Sequence, residues 1–264
     1  HPTYIKPVPG VRARRRRRLP VIRRGGLLVT EPAFTVIDLA DHRFASREDA
    51  LAVAARAVQR RATSAENLTR EAFWNLFVPG CVEHYLLHIM RDSGAFIGEL
   101  DTVAEMDGQI VGNIVYTEAK ILGDDGEWFP VISFGPIAVL PEFQGKGIGG
   151  KLIKHTIGRA KEMGYRAILI YGDPDYYGRF GFVQAEQFGV GTPDNMYAAP
   201  LQALELYPGA LAGCQGRFYE DAIFDVDPQA ADEFDKSFPD KERTSGLPTQ
   251  ARFQQLVGMR KPRA

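Results

Sequence analysis

Seven residues carry the clearest chemical signal in this sequence: Gln144-Gly145-Lys146-Gly147-Ile148-Gly149-Gly150. The stretch before them reads as a strand and the stretch after them as an amphipathic helix. Glycines at such a junction let the backbone approach a ligand closely, and the unpaired N–H groups of a helix start attract phosphate oxygens. A bare turn needs fewer glycines, so the run points to a ligand bearing a pyrophosphate. Gly145-x-Gly147-x-x-Gly150 also matches the dinucleotide fingerprint, and Asp173 follows the next strand at a spacing suited to a ribose hydroxyl. Two features oppose that rival. Leu140 to Gln144 intervene between the strand and the first glycine, and the strand before the loop is the third of an antiparallel meander. The Gly-Lys-Ser/Thr ending of a Walker A loop is missing. The His and Cys residues show no zinc-like spacing, and no metal is expected.

The elements that position this loop follow from pattern. Thr102 to Met106 reads as a strand, Asp107-Gly108 as a two-residue hairpin turn, and Gln109 to Leu122 as the return strand. Gly123 to Gly126 makes a second turn, and Trp128 to Val139 a third strand. Gly135-Pro136 inside that strand predicts a bulge or an exposed edge, because proline cannot donate a ladder hydrogen bond. Gly149 to Met163 is an amphipathic helix with Leu152, Ile153, Ile157 and Ala160 on one face, stopped by Gly164. Ala167 to Tyr171 is a buried strand, parallel to the third. Upstream, Phe34 to Leu39 reads as a strand and Ala50 to Arg61 as a helix capped by Ser46. A second helical stretch starts at Ser64 and carries Leu68, Ala72, Phe73, Leu76 and Phe77, ending at Pro79-Gly80; Val82 to Arg91 follows as a short helix. Thr249 to Val257 reads as a C-terminal helix. The fold class is α/β (α+β), a mixed and mostly antiparallel central sheet flanked by helices.

Composition bounds the setting. The 264 residues are 45% hydrophobic and 25% charged, ordinary for a soluble globular protein. No apolar run reaches the roughly 18–20 residues that span a bilayer, so no membrane is expected. The two cysteines do not make a disulfide framework and fit a reducing compartment, the cytoplasm. Net charge is -1, but nine of the 32 basic residues lie in residues 1–26, which hold no acid; the remaining 23 face 33 acids, a net of -10. Residues 1–32 read as a basic, disordered arm, residues 33–224 as the domain, and residues 225–264 as an extension packed on it or trailing it. The arm would touch nucleic acid phosphates only if it is native; no aromatics interleave it, and nucleic acid is not the expected partner.

Phe134-Gly-Pro-Ile-Ala-Val-Leu-Pro-Glu-Phe-Gln-Gly-Lys-Gly-Ile-Gly149 resembles the acetyl-CoA signature of the GCN5-related N-acetyltransferase (GNAT) superfamily, with Gln144, Gly147 and Gly149 in its fixed positions. Tyr177-Gly-Arg-Phe-Gly181-Phe182 resembles its second motif, and Ala203 to Leu211 is similar to an element of a subgroup of prokaryotic N-acetyltransferases. The resemblance runs from about Asn67 to Leu256 and is most specific between Ser133 and Phe182.

The resemblance implies a GNAT fold whose parallel strands splay apart, and acetyl transfer from acetyl-CoA to an amine by direct attack. Backbone groups of Ile137 and Val139, with Ala138 between them, would pair with the pantetheine arm. The N–H groups of Gly145, Lys146, Gly147, Ile148, Gly149 and Gly150, beside Gln144, would hold the pyrophosphate. Tyr177 occupies the general-acid position, with Tyr176 as its neighbour and rival, and the alternative is a packed core aromatic. The base candidates are Glu118, Asp173 and Asp175, each otherwise a solvated or structural carboxylate, and His84, otherwise a packed histidine. Glu71, Trp74, Glu83, His84 and Tyr85 lie on the helices expected to shape the acceptor pocket, where carboxylates and an aromatic wall suit a cationic, small-molecule amine. Cys81 reads as a packed thiol. A homodimer is compatible with the family. Two other function classes remain: a non-catalytic acyl-CoA-binding or sensory module, and the dinucleotide-dependent oxidoreductase.

Overall fold

The computed structural model describes residues 21–24, 27–30, 65–106 and 109–263. The chain divides into two compact units, His1–Arg61 and Ala62–Ala264. In the first, strands β1 (Val21–Arg24) and β2 (Leu27–Thr30) form an antiparallel hairpin, Val21 opposite Thr30 and Arg24 opposite Leu27. Paired strands in that stretch differ from the arm without structure expected there. The expected strand at Phe34 to Leu39, the helix at Ala50 to Arg61 and the Asp107-Gly108 turn lie outside the described residues.

The second unit opens with helix α1 across residues 65–73 and helix α2 (Glu83–Met90). The sequence pattern carries α1 through Phe77, but the helix ends four residues earlier. Asn75 stands at φ 59°, in the left-handed region asparagine tolerates, and its N–H turns back to the carbonyl of Gly80.

Strands β3 (Thr102–Met106), β4 (Gln109–Gly123) and β5 (Trp128–Val139) form the expected antiparallel meander, followed by helix α3 (Ile148–Glu162) and strand β6 (Ala167–Tyr171). Short helix α4 (Pro174–Tyr177) comes next, then strands β7 (Val183–Gln184), β8 (Val190–Gly191), β9 (Met196–Ala198), β10 (Leu201–Glu205) and β11 (Gly216–Tyr219). The sheet order is β7-β10-β6-β5-β4-β11-β8, with β3 also paired to β4. Most pairings are antiparallel, while β5 with β6 and β11 with β8 are parallel.

Two apolar layers sandwich the sheet. On one face α3 buries Ile148, Leu152, Ile153 and Ala160 against Ile114, Tyr116, Ile132, Phe134, Ile168 and Ile170. Full burial of one such aliphatic side chain contributes about 1.5–3 kcal/mol. The one buried hydroxyl of this helix, Thr156, is satisfied by Leu152 carbonyl and by the Tyr116 hydroxyl at 2.8 Å. The opposite face holds Ala119, Ile121, Val131, Leu169, Leu201 and Phe218.

Residues 225–264 pack onto the domain. Helices α5 (Pro228–Asp235) and α6 (Pro248–Gly258) lie there, and β12 (Arg260–Pro262) pairs with β9. Arg70 of α1, 2% exposed, forks onto Asp235 at 2.5 and 3.1 Å, which ties α1 to α5.

Candidate active site

The start of α3 has an open, glycine-built backbone. Gly147 is the N-cap at φ 78° and Gly145 stands at φ 73°. Side chains are strained at such angles, and a Cβ at either position would meet no protein atom within 4 Å. Glycine is therefore needed for backbone conformation and for an open approach, not to make room for a protein neighbour. Lys151 is the first residue whose N–H returns into the helix, to the carbonyl of Gly147. The amides of Ile148, Gly149 and Gly150 precede it and have no intrahelical partner. Gln144 donates its side-chain amide to the Val139 carbonyl at 3.0 Å, which folds the loop against the end of β5. Lys146 lies 4.9 Å above the Phe143 ring.

Beside this loop the sheet opens. The parallel pairing of β5 with β6 consists of Ile132 opposite Ile168, while β6 keeps a complete antiparallel ladder with β10 from Ala167 to Tyr171. Beyond Ile132 the two parallel strands diverge. The cause lies in β5. Ile114 faces Ile137 and Tyr116 faces Phe134, so Gly135-Pro136 adds a residue to β5 relative to β4, a bulge that bends the strand. Leu140 donates its N–H to Val111 on β4, so by alternation the backbone groups of Ala138 face β4 as well. Those of Ile137 and Val139 face the opened edge.

Tyr177 ends α4 at this opening. Its ring packs 5.8 Å from both Phe134 and Phe182, and 4.9 Å from Tyr176. Gly172 leaves the space for that ring, since a Cβ there would overlap it. Burial pushes the Tyr177 phenol above its ordinary range, so it stays protonated. Among the described residues no side chain takes its hydroxyl. Tyr176 points elsewhere: its hydroxyl lies 3.1 Å from where a Cβ of Gly149 would stand, over the first turn of α3.

The other expected residues are engaged with protein partners. Glu118 accepts the Tyr165 hydroxyl at 2.9 Å, beyond the C-terminal end of α3. Asp173 caps α4 by accepting from Asp175 N–H, and Arg252 of α6 forks onto it with two 3.0 Å bonds. The Arg252 hydrogen bonds hold that carboxyl below its usual range, which leaves it a weak proton acceptor. Asp175 takes the same guanidinium at 2.9 Å.

The five acceptor-pocket candidates face the C-terminal extension or their own helix. Glu71 pairs with Lys241 at 2.6 Å, and Trp74 donates to the Glu242 carbonyl at 2.8 Å. Tyr85 meets Phe234 at 5.4 Å. His84 is fully buried between Phe234 and Phe238, its Nε2 3.1 Å from Asp235 but out of line for a good hydrogen bond. Burial lowers its pKa to about 4. Glu83 accepts from the Cys81 thiol at 3.3 Å and from Val82 N–H, and burial raises its pKa. Cys81 is a buried thiol pushed upward by the same desolvation, as its reading as a packed thiol requires.

Two groups near the opening escaped the sequence reading. Arg252 gave no motif, and its partner lies 79 residues away. Glu220 follows β11 and accepts from Ser133 Oγ of β5 at 3.1 Å. The strand before it is four residues long and pairs with β4 across about a hundred residues, so no local signal marks it. No three His, Cys, Asp or Glu gather as a metal site among the described residues.

A diverging pair of parallel strands thus lies beside the glycine-rich start of α3. Residues 94–184 match the acetyltransferase (GNAT) domain family. The uncharacterized N-acetyltransferase YhbS of Escherichia coli (strain K12) is 33% identical over 101 residues, 38% of this chain and 58% of that protein. The crystal structure of YhbS from Escherichia coli in complex with CoA is similar over 62% of this chain and 87% of that one, with 27% identity and a TM-score of 0.53. A GNAT family acetyltransferase from Brucella melitensis, crystallised with acetyl-CoA, is 30% identical over 62% of this chain and 92% of that one, with a TM-score of 0.49. The chain belongs to the GNAT family. Its match with the curated relative YhbS spans little more than half of that protein's length.

Proposed function

We infer that the protein transfers the acetyl group of acetyl-CoA to a primary amine, a small molecule, by direct attack. The observation that carries this reading is the opening between β5 and β6 beside the unpaired amides of α3. The loop amides from Gly145 to Gly150 would take the pyrophosphate. The outward backbone groups of Ile137 and Val139 would bind the pantetheine amides as an added strand. The thioester would then lie in the gap next to Tyr177, where the amine meets it in a fixed orientation. The N–H of Ile137 would stabilise the oxyanion, and Tyr177 would protonate the departing thiolate. The bound CoA of the YhbS structure supports the choice of cofactor over a dinucleotide. Glu71, Trp74, Glu83, His84 and Tyr85 act in this reading as the wall that the extension braces rather than as groups touching the amine. Both free cysteines are buried, in keeping with work in the reducing cytoplasm.

Calorimetry tests the cofactor. Acetyl-CoA binds and NADH does not; the reverse result would refute the loop assignment.

A further inference from the structure

The gap between β5 and β6 has two faces, and the second holds an unassigned carboxylate. Side chains alternate along β5, so Phe134 turns to the α3 face with Tyr177, and Ser133 turns to the other. Ser133 is the residue next to Ile132, where the pairing with β6 ends. It is fully buried and donates to Glu220 Oε1 at 3.1 Å. Thr117 stands directly opposite Ser133 on β4, also fully buried, and its hydroxyl has no partner among the described residues. Tyr171 ends β6 on the same face, against Phe218. A half-buried acid, a buried serine and an unpartnered buried hydroxyl therefore meet at one mouth of the gap.

Resting on the acetyl-transfer reading, we propose that Glu220 is the general base, taking the proton of the acceptor amine on the sheet face opposite Tyr177. The acceptor reacts as the neutral amine, its ammonium proton having gone to solvent; its nitrogen forms the bond to the thioester carbonyl carbon as one N–H proton passes to the Glu220 carboxylate. The C–S bond breaks with its electron pair on sulfur, and Tyr177 protonates that sulfur. Solvent then reprotonates Tyr177 and deprotonates Glu220. Base and acid thus flank the thioester from opposite faces and do not quench each other.

The surroundings suit the role. Desolvation raises the Glu220 pKa to about 7, and the Ser133 hydrogen bond pulls it back in part. A base poised there is about half ionised at neutral pH and is a stronger proton acceptor than an ordinary carboxylate. Tyr171 faces Glu220 from β6, its phenol raised by burial and then by the Glu220 charge. The charged groups near Tyr171, Arg260 and Asp194, are paired with each other. Asp221, next in sequence, is committed to capping the turn at Ile223. Glu118, Asp173 and Asp175 are all held by other partners, as described above.

The test is thiol release from acetyl-CoA with spermidine, tyramine, L-lysine or water as acceptor, across pH 5–9, for wild type, Glu220→Gln and Ser133→Ala. Expressed per neutral amine, wild-type kcat/KM should fall below about pH 7 as one enzyme group protonates. Glu220→Gln should bind acetyl-CoA as wild type does, lose roughly 10²–10⁴-fold in kcat/KM and lose that acidic limb. Ser133→Ala removes a donor that favours the charged carboxylate, so its limb should move to higher pH even if Glu220→Gln folds poorly. Wild-type turnover with the limb retained in Glu220→Gln, or unmoved in Ser133→Ala, would overturn the assignment. A wild-type protein that releases no thiol with any acceptor would instead count against acetyl transfer itself.

Discussion

Removing the Tyr177 hydroxyl while keeping its ring separates chemistry from packing. The ring contacts with Phe134, Phe182 and Tyr176 persist in Tyr177→Phe, and no protein hydrogen bond is lost among the described residues. Stability should therefore change by no more than about 0.5 kcal/mol, the range of a substitution that breaks no contact. The pantetheine and pyrophosphate contacts involve backbone groups elsewhere, so acetyl-CoA affinity should hold. What is lost is the proton for the departing thiolate. A general acid contributes roughly 10²–10⁴-fold to rate, or about 3–5 kcal/mol in the barrier. Thermal unfolding, calorimetry with acetyl-CoA and steady-state thiol release measure the three quantities separately. Because burial raises the phenol above its ordinary pKa, wild-type kcat should show no alkaline fall from its ionisation below about pH 10. Wild-type turnover by Tyr177→Phe would refute the acid assignment. If Tyr176→Phe were the slow variant instead, the role would belong to the hydroxyl over Gly149.

Gly147→Val should abolish measurable acetyl-CoA binding in a folded protein, because the side chain enters open space facing the loop amides and the backbone stands at φ 78°. The left-handed conformation alone costs such a residue about 1–2 kcal/mol, so circular dichroism must accompany the calorimetry, and unchanged affinity would remove the pyrophosphate from this loop. Arg252→Ala frees Asp173 and Asp175. With Arg252 38% and Asp175 86% exposed, solvent screens the pair and stability should change little. Loosening the cap of α4 should still lower kcat, with acetyl-CoA affinity kept; equal kcat would leave the fork without a role in positioning Tyr177.

Local patterns made the centre of the fold legible. The turn at Gly123 to Gly126, the Gly135-Pro136 interruption and the apolar stripe of α3 each act within a few residues, and the structure keeps all three. The glycine loop was legible for the same reason: its backbone demands are local. Strands β7, β8 and β9 hold two or three residues each, too few for a period, and β10 and β11 find partners only through the folded sheet. The acceptor-side residues have neighbours that are distant in sequence. Trp74 and Glu71 meet the segment around Lys241 and Glu242, about 170 residues later. Asp173 reads as a base candidate or a structural carboxylate, and its pairing with Arg252 has no local signal. Glu220 had no sequence signal, since its meaning depends on meeting Ser133 across the sheet.

Acetyl transfer is tested most directly by incubating the protein with acetyl-CoA and each of the amines spermidine, tyramine and L-lysine, then measuring free thiol and the mass of the amine together. The account predicts thiol release that depends on the amine, equal in amount to an amine product heavier by one acetyl group. Tight acetyl-CoA binding with neither thiol nor acetylated amine from any acceptor would contradict it and favour a protein that binds the thioester without using it.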